Sequence, residues 1–171
     1  MAGIAYVKSV AEFIDPKALS TSLSWTAGGA SDAVTWTGIS INRESFVNGA
    51  MPRSLDAFVV YDVTMASGHT LSLTWDVQDS PDGSNWSDYA TEAATVAVTG
   101  ISGGTRQVGV ARMLNPSGNA PSGTPGVDLN GARAYVRLNV VPDFSGAGTD
   151  TGIIVAAGEF GGFDILAAPA T

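Results

Sequence analysis

The 171-residue sequence predicts an all-β fold, an antiparallel β-sandwich of jelly-roll or Ig-like type. Three observations lead there. Apolar and polar residues alternate with a period of two in several well-separated runs. The 21 glycines and 8 prolines interrupt the chain every few residues. Nearly all the remaining periodic signal is also that of strands. A hydrophobic fraction of 44% against 14% charged residues is enough to bury a core, and the length fits one domain. The expected division is an N-terminal arm or edge segment over residues 1–20 and a single sandwich over 21–171.

In the first 20 residues Ile4, Tyr6, Val7, Val10, Phe13 and Ile14 are apolar but keep neither helical nor strand spacing throughout. They read either as a first edge strand or cap on the sandwich, or as an arm that docks on a neighbouring subunit, because exposed apolar ends otherwise lower solubility. A short helix over about Val7 to Ile14, ended by Asp15-Pro16, also suits this stretch. The segment lacks the basic start and continuous apolar centre of a secretory signal, so a cytosolic site of synthesis is expected. No run reaches the roughly 18–20 apolar residues of a membrane helix, so no membrane partner is expected.

Shorter strand candidates follow at Ser22–Thr26 and Ala33–Ile41. Leu55–Met65 places Ala57, Val59, Tyr61, Val63 and Met65 on one side. Leu71, Leu73, Trp75 and Val77 share one face of the next run, opposite Ser72, Thr74, Asp76 and Gln78. Further candidates are Trp86–Ala90, Thr95–Thr99, Arg106–Met113, Ala134–Val140, Gly152–Ala157 and Phe160–Leu166. Between them Ser80-Pro81-Asp82-Gly83 carries tight β-turn chemistry, and Ser67-Gly68 and Gly103-Gly104 suggest two more reversals, so the middle of the chain reads as successive hairpins. Asn115 to Gly126, N-P-S-G-N-A-P-S-G-T-P-G, cannot sustain a ladder and reads as one long Pro/Gly-rich loop.

Chemistry is constrained by what the composition omits. With 16 acidic and 8 basic side chains the net charge is −8, which opposes phosphate binding, so no nucleic-acid partner is expected. Without cysteine, and with one histidine, disulfides, Cys/His zinc sites, thiol nucleophiles and multi-histidine centres are excluded. His69 lies at a predicted turn and reads as a solvated loop histidine, and no G-x-S-x-G elbow occurs. Glu12, Glu44, Glu92 and Glu159 fall in four separate segments, and no catalytic activity or cofactor is expected. Asp79, Asp82, Asn85 and Asp88 are either turn residues or a calcium cluster whose spacing is not that of an EF-hand. Trp25, Trp36, Trp75 and Trp86 are either packing residues or a sugar-stacking platform.

The stretch from Leu55 to Ala90 resembles a class of small β-sandwich virion structural proteins of tailed bacteriophages. In that class a strand, a Ser-Gly turn, an alternating strand and a Q-x-S-x-D-G-x-x-W hairpin follow in order, here with Gln78, Ser80, Asp82, Gly83 and Trp86. Tyr135-Val136-Arg137 and the reversal from Gly146 into Ala157 are similar to its later elements. The resemblance implies a non-catalytic component, with head decoration (cement) the role we expect. The partners would then be the major capsid protein and other copies in a small cyclic oligomer, on the outer capsid surface. Ile4, Tyr6, Val7, Phe13 and Ile14 are the candidate anchors. A tail or neck position, or a carbohydrate-binding module, are the alternatives.

Overall fold

The computed structural model describes residues 14–46, 51–101, 104–114, 116–118, 126–146 and 148–162. Among them the strands are β1 (Ile14–Ala18), β2 (Leu23–Thr26), β3 (Trp36–Thr37), β4 (Ile41–Asn42), β5 (Ser54–Thr64) and β6 (Thr70–Ser80). They continue as β7 (Ser87–Thr99), β8 (Arg106–Arg112), β9 (Ser117–Gly118), β10 (Val127–Asp128), β11 (Tyr135–Phe144) and β12 (Thr151–Gly161). A 3-10 turn, Arg43–Ser45, follows β4, and the Asn42 side chain caps it by accepting from the Glu44 N–H.

The strands form two antiparallel sheets. In sheet A, β1 and β2 lie in turn along one side of β12, β5 lies on its other side, and β8 and β10 lie along the far side of β5. In sheet B, β3 and β4 lie along β11, which is followed by β6, β7 and the short β9. Taking segments that share a neighbour as one position, each sheet has four main positions, and the chain passes between sheets in the order of a jelly roll. Of the two sandwich types the sequence suggests, the connectivity selects this one.

Side-chain alternation explains why the sheets face each other. Leu71, Leu73, Trp75 and Val77 of β6 meet Leu55, Ala57, Val59 and Val63 of β5, Val136, Leu138 and Val140 of β11, and Ile154, Ala156 and Phe160 of β12 in one buried core. Each buried Val, Leu, Ile or Phe among them contributes roughly 1.5–3 kcal/mol relative to staying in water. Trp25 stacks on Phe144 at one end, with ring centroids 5.0 Å apart. On sheet B the polar partners of the alternation, among them Gln78, Asp76, Arg137 and Asn139, form the outer face.

The successive hairpins expected from the turns reduce to one, β6–β7. The Ser67-Gly68 reversal carries the chain from β5 in sheet A to β6 in sheet B, and the Gly104 reversal carries it back from β7 to β8. These are arches, and they bond to each other, Gly68 N–H donating to Gly100 O at 2.9 Å and Gly100 N–H to His69 O at 2.7 Å. Turn residues alone do not distinguish a hairpin from an arch, because both need the same backbone reversal. The Ser80–Gly83 turn is also longer than the tight turn expected, since residues 81–86 separate the strands.

Other strand boundaries shift for identifiable reasons. The run Ala33–Ile41 breaks into β3 and β4 at Gly38, where a Cβ would lie 2.2 Å from Leu138 O, and Ile39 N–H turns to Leu19 O at 2.7 Å. The two pieces predicted around Gly158 are one strand, β12; a Cβ there would meet the methyl groups of Leu55 and Leu19, so the glycine makes room for core side chains. Residues 163–166 of the second piece lie outside the described residues. The two pieces predicted over Trp86–Ala90 and Thr95–Thr99 are one strand, β7, whose pairing with β6 shifts register three times and so scrambles its alternation. Within the Pro/Gly-rich stretch, Ser117–Gly118 does form a short ladder with β7, and Pro116 is buried.

Candidate functional site

Of the anchors predicted from sequence, Ile4, Tyr6, Val7 and Phe13 lie outside the described residues. Ile14 opens β1, with its backbone opposite Gly161, so the expected helix does not extend to it. The edge formed by β1 and β2 is kept continuous where the chain jogs between them. Leu19 N–H donates to Ala156 O at 2.9 Å, and Ser20 Oγ accepts from Ala156 N–H at 2.8 Å.

The histidine lies on the loop as expected, with its side chain 36% exposed, but it is paired rather than free. His69 Nδ1 lies 2.6 Å from Asp150 Oδ2, and the Asp150 side chain is only 1% exposed. Asp150 Oδ1 also accepts from Ala66 N–H at 2.8 Å, so this carboxylate ties the β5–β6 arch to the start of β12. Glu44 sits on the 3-10 turn, Glu92 on β7 and Glu159 on β12; the buried Glu92 accepts from Leu114 N–H at 2.9 Å. The aspartate cluster at the β6–β7 turn divides among different partners. Asp79 accepts from Arg133 N–H, and Asp88 from Gln78 Nε2. Asp82 accepts from Ser84 and Asn85 N–H groups, which hold its carboxyl far below the usual carboxylate range. These bonds belong to turn and strand geometry. Among the described residues no group of three or more His, Cys, Asp or Glu is placed to hold a metal.

The tryptophans do not form one platform. Trp75 and Trp25 are buried, and Trp36 packs half-buried against the core. Trp86 lies just before β7 under the Arg137 guanidinium, 4.2 Å from its ring centroid. Arg137 also donates to Gln78 Oε1 at 2.7 and 2.9 Å, which begins a polar array on the outer face of sheet B. Next in that array stand Asp88, Asp76 and Asn139, with Asn139 Nδ2 3.4 Å from Asp76 Oδ2.

Burial, reinforced by the Asp88 charge, pushes the Asp76 carboxyl up to about 6. The folded protein thus holds this proton more tightly than the unfolded chain, and Asp76 withdraws stability as pH rises from 3.8 to about 6. After discounting for solvent access the effect is on the order of 1 kcal/mol. Asp76→Asn should remove that loss and gain stability near neutrality. Urea unfolding of both proteins at pH about 4 and about 7 tests it, and a pH-independent difference between them would reject it.

The outer face of sheet A has a different character. Val108 and Val110 on β8 are 63% and 62% exposed, and Ile153 on β12 is 49% exposed. Pairing places Val110, Val60 and Val155 in one row across β8, β5 and β12, and Val108, Asp62 and Ile153 in the next. Arg106 grips Asp62 with two bonds of 2.6 and 2.7 Å, and Arg112 pairs with Asp56, so the apolar rows are bordered by neutralised charges. Sequence reasoning missed this face because it followed one apolar side along each run and left the opposite side unread. Val60, Val108, Val110, Ile153 and Val155 lie in the opposite phase of their strands, a signal present in the sequence as strands apolar on both sides.

No protein-family model matches the chain, and no curated protein matches it. Among solved structures, the chain is similar to the VP2 subviral particle of infectious bursal disease virus at TM-score 0.43 and 17% identity, over 86% of this chain and 31% of that one. It is likewise similar to the Gx strain of that virus at TM-score 0.40 and 17% identity, with the same coverage. The chain thus spans about a third of the length of these structures.

Proposed function

We propose that this protein is a non-catalytic virion component, a decoration (cement) protein. It binds the outer surface of a tailed-phage head and bridges major capsid protein subunits. The observation that carries this reading is the ordered resemblance over Leu55–Ala90 to small phage virion proteins. The apolar outer face of sheet A supports it, since such a face suits coverage by another protein. A jelly roll is common to capsid and lectin domains, so the fold alone favours neither. The covering of Trp86 by Arg137 favours the virion reading over sugar stacking. Ile4, Tyr6, Val7, Phe13 and Ile14 act as anchors reaching from the sandwich onto the capsid. The protein is made in the host cytoplasm and functions without a cofactor.

Co-sedimentation with expanded capsids tests this reading. The full chain should saturate a fixed number of sites per capsid, and removal of residues 1–13, which spares β1, should reduce occupancy to background with melting unchanged. Unchanged occupancy would reject the anchors. Absence of capsid binding by the full chain, together with saturable glycan binding that quenches tryptophan emission, would replace the virion reading with the carbohydrate-binding one.

A further inference from the structure

Strand β8 lies at the edge of sheet A. It pairs with β5 on one side, and among the described residues no strand lies on the other. The phase of its backbone follows from one bond: Met113 N–H donates to Ala57 O at 3.0 Å, in line with the β5–β8 register. Antiparallel pairs alternate between bonded and non-bonded, so Ala111, Gly109 and Gln107 turn their amides toward β5. Arg106, Val108, Val110 and Arg112 then direct their N–H and C=O groups outward. An edge of this length with exposed valines is a template for another strand.

The sequence along this edge, Arg106-Gln107-Val108-Gly109-Val110-Ala111-Arg112, is close to a palindrome about Gly109. We infer that a second copy of this chain pairs here, β8 to β8, antiparallel across a two-fold axis at Gly109. In that register Val108 faces Val110 of the second copy, Arg106 faces its Arg112, and every outward N–H meets an outward C=O. The non-bonded pair on the axis falls on Gly109, where the missing side chain makes room for Tyr61 of β5. Each arginine at the ends already holds its own carboxylate, Asp62 or Asp56, so the ends meet as ion pairs rather than bare cations. A slip by one residue would turn the valines to opposite faces, and a slip by two would set a valine against an arginine of the second copy. The contact is isologous and closes at two copies. It stands independently of the virion reading, and joins the apolar faces of two sheets A into one.

Sedimentation of the isolated full chain tests the pairing without any capsid. The expected mass is twice 17.4 kDa. Val108→Pro deletes an outward donor but no bond to β5, and Val110→Lys places charge on an exposed position. Both should yield the single-copy mass with little change in melting. Because the chain has no cysteine, the register can be read by oxidation. The double variant V108C/V110C should cross-link between copies, since facing Cα atoms of a bonded pair lie about 5.5 Å apart, whereas V108C alone should cross-link far less. A single-copy mass for the unaltered chain, a double mass that survives both V108P and V110K, or equal cross-linking of the single and double cysteine variants would overturn the inference.

Discussion

Replacing Arg43 with alanine is expected to lower the unfolding free energy by about 3–5 kcal/mol. The residue is only 3% exposed, and its guanidinium is spread over four backbone carbonyls. Nη2 donates to Pro52 O at 2.7 Å and Leu129 O at 2.8 Å; Nη1 donates to Ala132 O and to Arg133 O at 3.0 Å. The side chain therefore joins the approach to β5 with the segment between β10 and β11. Burial pulls its pKa down, while Tyr89 and Asp79 draw it back up. Removal would leave several buried carbonyls without a donor, and each such group costs about 1–3 kcal/mol unless water reaches it. Lysine keeps the charge but not the planar fork, so Arg43→Lys should recover only part of the loss. Urea unfolding with an unchanged slope measures both; a loss under about 1 kcal/mol for the alanine variant would show that water replaces the clamp.

Asp150→Ala should cost about 2–4 kcal/mol, because the buried carboxylate satisfies the Ala66 amide and pairs with His69 on the first arch. His69→Ala should cost less, since the bond to Ala66 survives. The double variant should fall short of the sum of the two single effects, by the energy of the His69–Asp150 contact. Strict additivity would mean that the His69–Asp150 contact itself contributes nothing to stability.

How much of this was legible in the sequence depends on range. The alternation of Leu71, Leu73, Trp75 and Val77 is a local property, and it places these side chains correctly in the core. The all-β class and the antiparallel sandwich follow from such runs. Partner choice is not local: nothing near Ser67-Gly68 states that β5 and β6 belong to different sheets. Arg43 and Asp150 escaped notice for the same reason, since an isolated Arg and an Asp beside Thr look like surface residues until their distant partners are known. At Gly158 the residue type pointed the wrong way, because a glycine that accommodates Leu19 and Leu55 is indistinguishable in sequence from one that ends a strand. The proposed anchors at residues 4–13 draw their support from apolar composition alone, since the resemblance over Leu55–Ala90 does not reach them.

The position of β12 in sheet A carries a kinetic consequence. β12 follows all the other described strands in the chain, yet it is the only described strand that joins β1 and β2 to the rest of the sheet. During synthesis the early strands must therefore wait, unpaired, until residues 151–161 have emerged. Closing so large a loop raises the entropic barrier before any contact can offset it. Folding should thus be slow and late, with the β6–β7 hairpin forming well before sheet A. A ribosome-bound chain lacking β12 would hold β1 and β2 without their partner strand, and the core without Ile154, Ala156 and Phe160.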